Sequence, residues 1–216
     1  MSNSKKDPFP KLVRTIIRAG PLPFPLTESL MEIAKTLVGE REARFINVAF
    51  RRPNMNIMQI EKKTAKKGYE EQTVREMLEA LMKKGVITGV PSRSKGIMVY
   101  HLMPFFPGLF EFSLLTGRKG PKEKKLARLF DNIFDELSEV TQRNYEKVVP
   151  QFKNFNALDR VVPVEEEIAE VKSETILPLE ALESILDDHD TFAVVHCYCR
   201  QEKDLLGESC QVTDDR

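Results

Sequence analysis

Residues 56–103 carry the clearest structural pattern in the chain and read NIMQIEKKTAKKGYEEQTVREMLEALMKKGVITGVPSRSKGIMVYHLM. Apolar residues recur every three or four positions as far as Leu81, which predicts a short helix followed by a longer one. Gly85 can end the second helix, because glycine readily adopts the left-handed conformation that follows helices. VITGV and GIMVYHLM are then β-rich runs joined by PSRSK, a pattern typical of a hairpin with a longer loop.

The residues upstream extend this pattern. A helix is predicted to begin near Thr27, whose hydroxyl can cap the first turn, and to end at Gly39. RFINVAF, residues 44–50, is predicted to be a short apolar strand or a buried turn. Helix, short strand, helix, helix and hairpin is the order of a winged helix-turn-helix domain, which we place at 26–103. Residues 1–25 are expected to form an amphipathic helix and a proline-rich connector.

Downstream, the apolar spacing predicts a long amphipathic helix from Pro121 to Gln142. The run from Leu102 to Leu115 is expected to be core that joins the wing to this helix; alternatively, its phenylalanines form a partner-binding patch. Residues 104–150 would thus be an apolar linker and a long helix. Residues 151–216 would form a small acidic α/β region with a strand at RVVPV, a helix at LPLEALESILDD and a strand at TFAVVHCYCR. The predicted fold class is α+β.

The charge of the chain is divided between two halves. The totals are 33 Lys and Arg against 33 Asp and Glu, but residues 1–130 hold 25 basic and 12 acidic side chains. The first part is therefore +13 and the remainder −13. Such asymmetry suggests two modules with different tasks, and 41% hydrophobic residues exclude a disordered chain.

Composition also restricts the compartment and the chemistry. The first 196 residues contain no cysteine, and MSNSKKDPFP lacks the apolar core of a signal peptide. No apolar stretch reaches the roughly 20 residues that a membrane helix needs, so we expect a cytoplasmic protein. No catalytic constellation is evident, because the sequence has no glycine-rich phosphate loop and no Ser-His-Asp order. The acidic runs 165–167 and 187–190 are predicted to be solvated surface.

The three cysteines carry the candidate chemistry. Cys197, Cys199 and Cys210 give a C-x-C-x10-C spacing, and residues i and i+2 of a strand point to the same side. A turn at Gly207 can bring Cys210 back to the same centre. Soft thiolates suit an iron–sulfur cluster or zinc, and Arg200 and Lys203 would help to offset their negative charge. Three thiolates are one short of the four that a closed zinc site or a common cluster uses. Inert structural thiols and a redox-active pair are the alternatives.

This tail resembles a family of archaeal and bacterial proteins with a winged-helix-like N-terminal region and a C-terminal 4Fe-4S ferredoxin-type region. The similar stretches are DTFAVVHCYCR at 190–200, MPFFPGLFEF at 103–112 and RVVPV at 160–164. The resemblance implies that Cys197, Cys199 and Cys210 are cluster ligands. The family's fourth cysteine has no counterpart in QVTDDR, so we expect a chain truncated before that ligand.

DNA binding is the competing interpretation of the basic half. In helix-turn-helix proteins the second helix of the motif reads the major groove. Here that helix carries four glutamates, which would repel phosphates, and one arginine, Arg75. Arg75 and the wing residues Arg93 and Lys95 are the contact candidates if DNA is bound. Protein docking, including homodimerisation, is the favoured role for the winged helix.

The leading functional expectation is an electron-transfer or redox-sensing protein, or a fragment of one, with a protein redox partner. The 4Fe-4S cluster is expected in the intact protein rather than necessarily in this chain. The alternative is a winged-helix transcriptional regulator whose cysteines sense redox state or metal. A zinc-stabilised interaction protein is the third class.

Overall fold

The computed structural model describes residues 6–20, 25–92, 96–152 and 182–209. They form a mixed helical fold with one small antiparallel sheet, which confirms the α+β class. The helices are α1 (Phe9–Ile17), α2 (Glu28–Leu37), α3 (Glu40–Ala49), α4 (Ile57–Ala65), α5 (Glu71–Lys83), α6 (Phe110–Leu114), α7 (Pro121–Arg143), α8 (Tyr145–Phe152), α9 (Leu182–Asp187) and α10 (Tyr198–Leu206). The strands are β1 (Asn54–Asn56), β2 (Ile87–Pro91) and β3 (Met98–Leu102).

The chain divides into two compact units. Residues 1–140 and 195–216 form the first, and residues 141–194 form the second. Within the second unit, the imidazole Nδ1 of His189 lies 2.8 Å from the carbonyl oxygen of Ile185, at the end of α9. Because residues 195–216 belong to the first unit, helix α10, which follows Cys197, is part of the unit built by the N-terminal residues.

The sheet has the order β1-β3-β2, with both pairs antiparallel. Ile87 lies opposite Leu102 in the register, which confirms the predicted hairpin. The remaining strand of the sheet, β1, was not predicted from the sequence. Asn54 pairs with His101, and their side chains meet at 2.7 Å between Oδ1 and Nδ1.

Local helix signals behave as expected in α2 and α5. The Thr27 hydroxyl accepts a hydrogen bond from the amide of Leu30, and Gly85 follows α5 with φ of +68°. One face of each helix is buried. The inward residues are Leu30, Ile33, Ala34 and Leu37 on α2 and Val74, Met77, Leu78 and Leu81 on α5.

The prediction of a strand or turn at RFINVAF is wrong, because these residues belong to α3 and its C-terminal end. Helix α3 begins at Glu40, and the Glu42 carboxylate accepts a 2.8 Å hydrogen bond from the amide of Gly39. The β-branched and aromatic residues favoured a strand locally. Their burial instead follows helical spacing, with Ala43, Ile46 and Ala49 fully buried on one face, so packing overrides the local preference.

The apolar run after β3 is core, as predicted. Phe105, Phe106 and Phe110 are buried, whereas Phe112 keeps 40% of its surface exposed. The ring of Phe110 packs against that of Phe130 on α7, with centroids 5.0 Å apart. The run thus joins the sheet to the long helix, and that helix confirms the periodicity read from residues 121–142.

The prediction of a buried strand at TFAVVHCYCR is also wrong. Residues 191–197 have no strand partner in the part of the chain that the structure describes, and they are exposed. Val194 is fully exposed. The chain becomes helical at Tyr198, because Tyr198, Gln201 and Leu205 follow helical spacing onto the core.

Several predictions fall on residues outside the described ranges. These are the RVVPV strand, the acidic run 165–167, Arg93, Lys95 and Cys210. Among the described residues, no helix combines the length and apolar character needed to cross a bilayer.

Candidate functional site

Cys197 and Cys199 lie at the N-terminal end of α10. Cys197 is the residue just before the helix, with φ of −61° and ψ of 113°, and Cys199 lies in the first turn. Both are exposed free thiols. The expectation that a strand points both sulfur atoms to one side is therefore replaced by a helix start, where residues two apart differ by about 200° in direction.

Helix α10 is held firmly on the first unit by apolar contacts. Leu205 is 7% exposed and belongs to the main core. The Tyr198 ring lies edge-on to that of Phe110, with centroids 5.5 Å apart. The helix start that presents the two cysteines thus rests directly on the phenylalanine cluster.

Polar contacts add to this anchoring. The Gln201 side chain donates a 2.9 Å hydrogen bond to the carbonyl of Arg118. The Lys203 ammonium lies 2.9 Å from the Asp131 carboxylate of α7. Lys203 is therefore committed to α7, rather than being available to offset thiolate charge as its sequence position suggested.

His196, the residue before Cys197, packs against Gly117, and we call this contact the seat of His196. The His196 amide donates a 3.0 Å hydrogen bond to the carbonyl of Leu115. A Cβ atom on Gly117 would lie 2.3 Å from two atoms of the His196 ring, and Gly117 has φ of +68°. The left-handed backbone favours glycine here, and a side chain at this position would have to displace the His196 ring. This contact was missed in the sequence, where its only signal is the glycine in TGRKG.

The surroundings of Cys199 are electronegative. Burial raises the pKa of the Cys199 thiol, and the neighbouring Cys197, Glu202 and Glu111 raise it further. A thiol in this setting favours the neutral form until a cation is present.

Glu202 is an unusual member of this group. It is only 4% exposed, and its Oε1 has no hydrogen-bond partner among the described residues. Burial raises the pKa of this carboxyl, while the adjacent Lys203 lowers it. Sequence reasoning missed Glu202, since an isolated glutamate in a charged segment gives no sign of burial.

The chain turns immediately after α10. Gly207 ends the helix with φ of +85°, and the Glu208 amide donates to the carbonyl of Lys203. Only Glu208 and Ser209 separate this turn from Cys210, which lies beyond the described residues. The turn predicted at Gly207 is confirmed.

The donor set fits part of a thiolate site. In the described ranges, which exclude Cys210, no group of three His, Cys, Asp or Glu side chains could hold a metal ion. Two exposed thiols at one helix start are nevertheless the ligand type that iron–sulfur clusters and structural zinc use. Metal ligation by Cys197, Cys199 and Cys210 stays a prediction.

The DNA-contact candidates are only partly described. Arg75 is exposed on α5, and its guanidinium lies 3.1 Å from the Glu61 carboxylate of α4, so its charge is partly neutralised. Glu70, Glu71 and Glu76 around it are exposed, as the sequence suggested. Arg93 and Lys95 lie outside the described ranges.

Comparison with protein-family models, with curated proteins and with solved structures found no match for this chain. The resemblance to ferredoxin-type iron–sulfur proteins therefore stays a prediction from the residues quoted above.

Proposed function

We propose that this chain is an iron–sulfur protein of the 4Fe-4S ferredoxin type that serves electron transfer or redox sensing. Cys197, Cys199 and Cys210 would be its cluster ligands. The observation that carries the proposal is the presentation of two exposed thiols at the start of a helix that is itself anchored to the core.

The position at a helix start supports thiolate ligation. The first amides of a helix have no intrahelical acceptor, and the helix dipole favours negative charge at this end. Thiolates and an anionic cluster are both stabilised by such an environment. The negative charge of Glu202 and Glu111 near Cys199 acts in the other direction, and a metal cation would relieve it.

Exposure of the two cysteines supports exchange with a partner. A cluster held at the protein surface lies within reach of an electron donor or acceptor, whereas a deeply buried one does not. The contacts of Tyr198, Gln201 and Lys203 fix the helix, so the ligands are presented on a rigid element rather than on a loose loop.

For residues 26–103 we propose a winged-helix domain that docks a protein partner. The order of α2 to β3 and the three-stranded sheet support this fold. The exposed face of α5 supports protein docking over base reading, because its glutamates would repel phosphates and its Arg75 is paired with Glu61.

The test of the cluster is metal analysis of protein purified and reconstituted without oxygen, using ferrous iron and sulfide. Because three cysteines leave one iron without a protein thiolate, the reconstitution mixture includes a small thiol as the fourth ligand. We expect iron and acid-labile sulfide in the parent chain, and loss of both in Cys197→Ser and Cys199→Ser. Ser209→Ala is the matched control in the same segment and should keep the cluster. Zinc alone would instead support a zinc-stabilised interaction protein, and a chain without any bound metal would overturn the proposal.

A further inference from the structure

A strongly basic groove lies on the first unit. The helices that form it are different from the one that carries the cysteines. Its volume is about 370 Å³, and no carboxylate lines it. Six cations line it, and we call this set the basic groove: Lys11, Arg51, Lys62, Lys63, Lys66 and Lys67.

Three separate elements bring these charges together. Lys11 comes from α1, Arg51 follows α3, and the remaining lysines lie on α4 and just after it. A second depression of about 720 Å³ shares Lys11 and Lys67 with the groove and adds Lys6, Arg14 and Arg44, the last of which is paired with Glu40. The carboxylate that lines this second depression, Asp7, accepts a hydrogen bond from the amide of Phe9 at the start of α1.

The cations of the basic groove lack acidic partners. In the part of the chain that the structure describes, no ion pair joins any of the six to a carboxylate. The Lys11 ammonium donates instead to the carbonyl of Asn47, at 3.0 Å. Some lysines elsewhere are paired, including Lys83 with Glu79 and Lys84 with Glu42.

The helix dipole explains only part of this concentration of charge. Positive charge is favoured at the end of α4, but Lys11 lies in the first turn of α1, where the dipole disfavours it. The pKa of the half-buried Lys63 is lowered by burial and by the like charges of Arg51 and Arg52. Like charges are therefore held together at the expense of stability, which a bound anion would relieve.

We propose that the basic groove binds the phosphodiester backbone of nucleic acid without reading its base sequence. Lysine supplies five of the six charges, and it is depleted in protein–protein interfaces, where aromatic residues and arginine predominate. Lysine and arginine contacts to phosphates, in contrast, provide essentially all of sequence-independent nucleic-acid binding. The contact surface is thus α1 and α4, not the acidic face of α5.

The test measures binding of the whole chain to two fluorescent DNA duplexes of unrelated sequence, and to one RNA duplex, over a salt series. We expect similar affinity for both DNA sequences and a steep loss of affinity as salt rises. Lys62→Gln/Lys66→Gln removes two exposed charges one helical turn apart. It should weaken binding about tenfold at low salt and reduce the slope of log K against log salt by about 2.

Lys122→Gln/Lys124→Gln on α7 is the matched control, since it removes two exposed charges outside the groove. It should change affinity less than twofold, and thermal unfolding checks that all variants are folded. Absence of binding at low salt, or an equal loss in the control, would overturn the proposal. So would tighter binding to poly-glutamate or to phosphatidylserine vesicles, which would assign the groove to an acidic protein or a membrane. RNA against DNA affinity distinguishes the two phosphodiester sources.

Discussion

The basic groove and helix α10 use charge in different ways. In the groove, six exposed or half-buried cations lie together without a carboxylate partner among the described residues. Along α10, Lys203 pairs with Asp131 and Asp204 pairs with Lys119, while the carboxylate of Glu202 is buried with one oxygen unpartnered. One region leaves its charge on the surface, and the other uses charge to fix a helix.

This difference separates stability from recognition. Exposed like charges repel one another in the folded state, and a partner of opposite charge would relieve that repulsion. Paired charges at the edge of a packed helix contribute modestly to its position, and the main contribution at α10 comes from Leu205 and Tyr198. Substitutions around α10 should therefore change stability, whereas substitutions in the groove should change binding.

The largest effect is expected for Phe110→Ala. This ring contacts those of Phe106, Phe130 and Tyr198 and is 4% exposed, so its removal leaves a cavity under α10. Chemical denaturation should show a loss of about 3–5 kcal/mol in the free energy of unfolding. Phe192→Ala, at a 55% exposed ring, should change it by less than about 0.5 kcal/mol. A small loss for Phe110→Ala would mean that α10 is not supported by this cluster.

The second effect concerns the seat of His196. Gly117→Ala introduces a Cβ against the imidazole and a side chain at φ of +68°, whereas Gly68→Ala has φ of +79° with no neighbour within 4 Å. Both should lose about 1 kcal/mol from the left-handed backbone, and Gly117→Ala should lose about 1 kcal/mol more from the contact.

A double-mutant cycle isolates that contact. In a His196→Ala background the extra loss of stability at Gly117→Ala should disappear. In the Gly117→Ala single variant, the reactivity of Cys197 towards a thiol reagent should rise. Equal losses at Gly117 and Gly68 in both backgrounds would show that His196 is not seated as described.

The third effect is the pH dependence set by Glu202. Burial raises the pKa of this carboxyl in the folded state, so folding is penalised once the unfolded chain loses the proton. Glu202→Gln should increase the free energy of unfolding by about 1 kcal/mol at pH 7. The gain should vanish below about pH 4, where the unfolded carboxyl is also protonated. Glu208→Gln, at an exposed position, should show little change at either pH; a loss of stability in Glu202→Gln would contradict the buried charge.

The sequence predicted those elements whose signals are local. Helices α2, α5 and α7 have apolar spacing over two or more turns, and Thr27 and Gly85 mark ends that depend only on neighbouring residues. The β2–β3 hairpin follows from two short β-rich runs close together in the chain. These features need no knowledge of distant contacts.

The remaining features depend on packing between distant residues. RFINVAF and TFAVVHCYCR have the same β-rich composition, yet the first becomes α3 on the core and the second is exposed without a strand partner among the described residues. The seat of His196 on Gly117 joins residues far apart in sequence. At the candidate site, the cysteines and the turn at Gly207 could be predicted, but the helical start and the buried Glu202 could not.

The smallest change in the free energy of unfolding is expected on removing a charge from the basic groove. Removal should stabilise the fold, whereas removing a cation that forms an ion pair would destabilise it. The pKa of Lys63 is lowered by burial, Arg51 and Arg52, so its charged form destabilises the fold until pH rises through the folded pKa. Lys63→Met keeps the packed stem and removes the charge. It should raise the free energy of unfolding by a few tenths of a kcal/mol at neutral pH and low salt, and the gain should shrink at high salt because the like charges are screened.

Lys63→Met should also weaken duplex binding. A variant that is more stable but binds less tightly distinguishes the basic groove from helix α10 most directly. A charge that lowers stability but increases nucleic-acid affinity has a role in binding, whereas the packed side chains of α10 have a role in stability. Lys122→Met on α7 is the control and should change neither quantity. Denaturation and anisotropy on the same preparations measure both, and a Lys63→Met variant that is less stable at low salt would assign the groove lysines to folding instead.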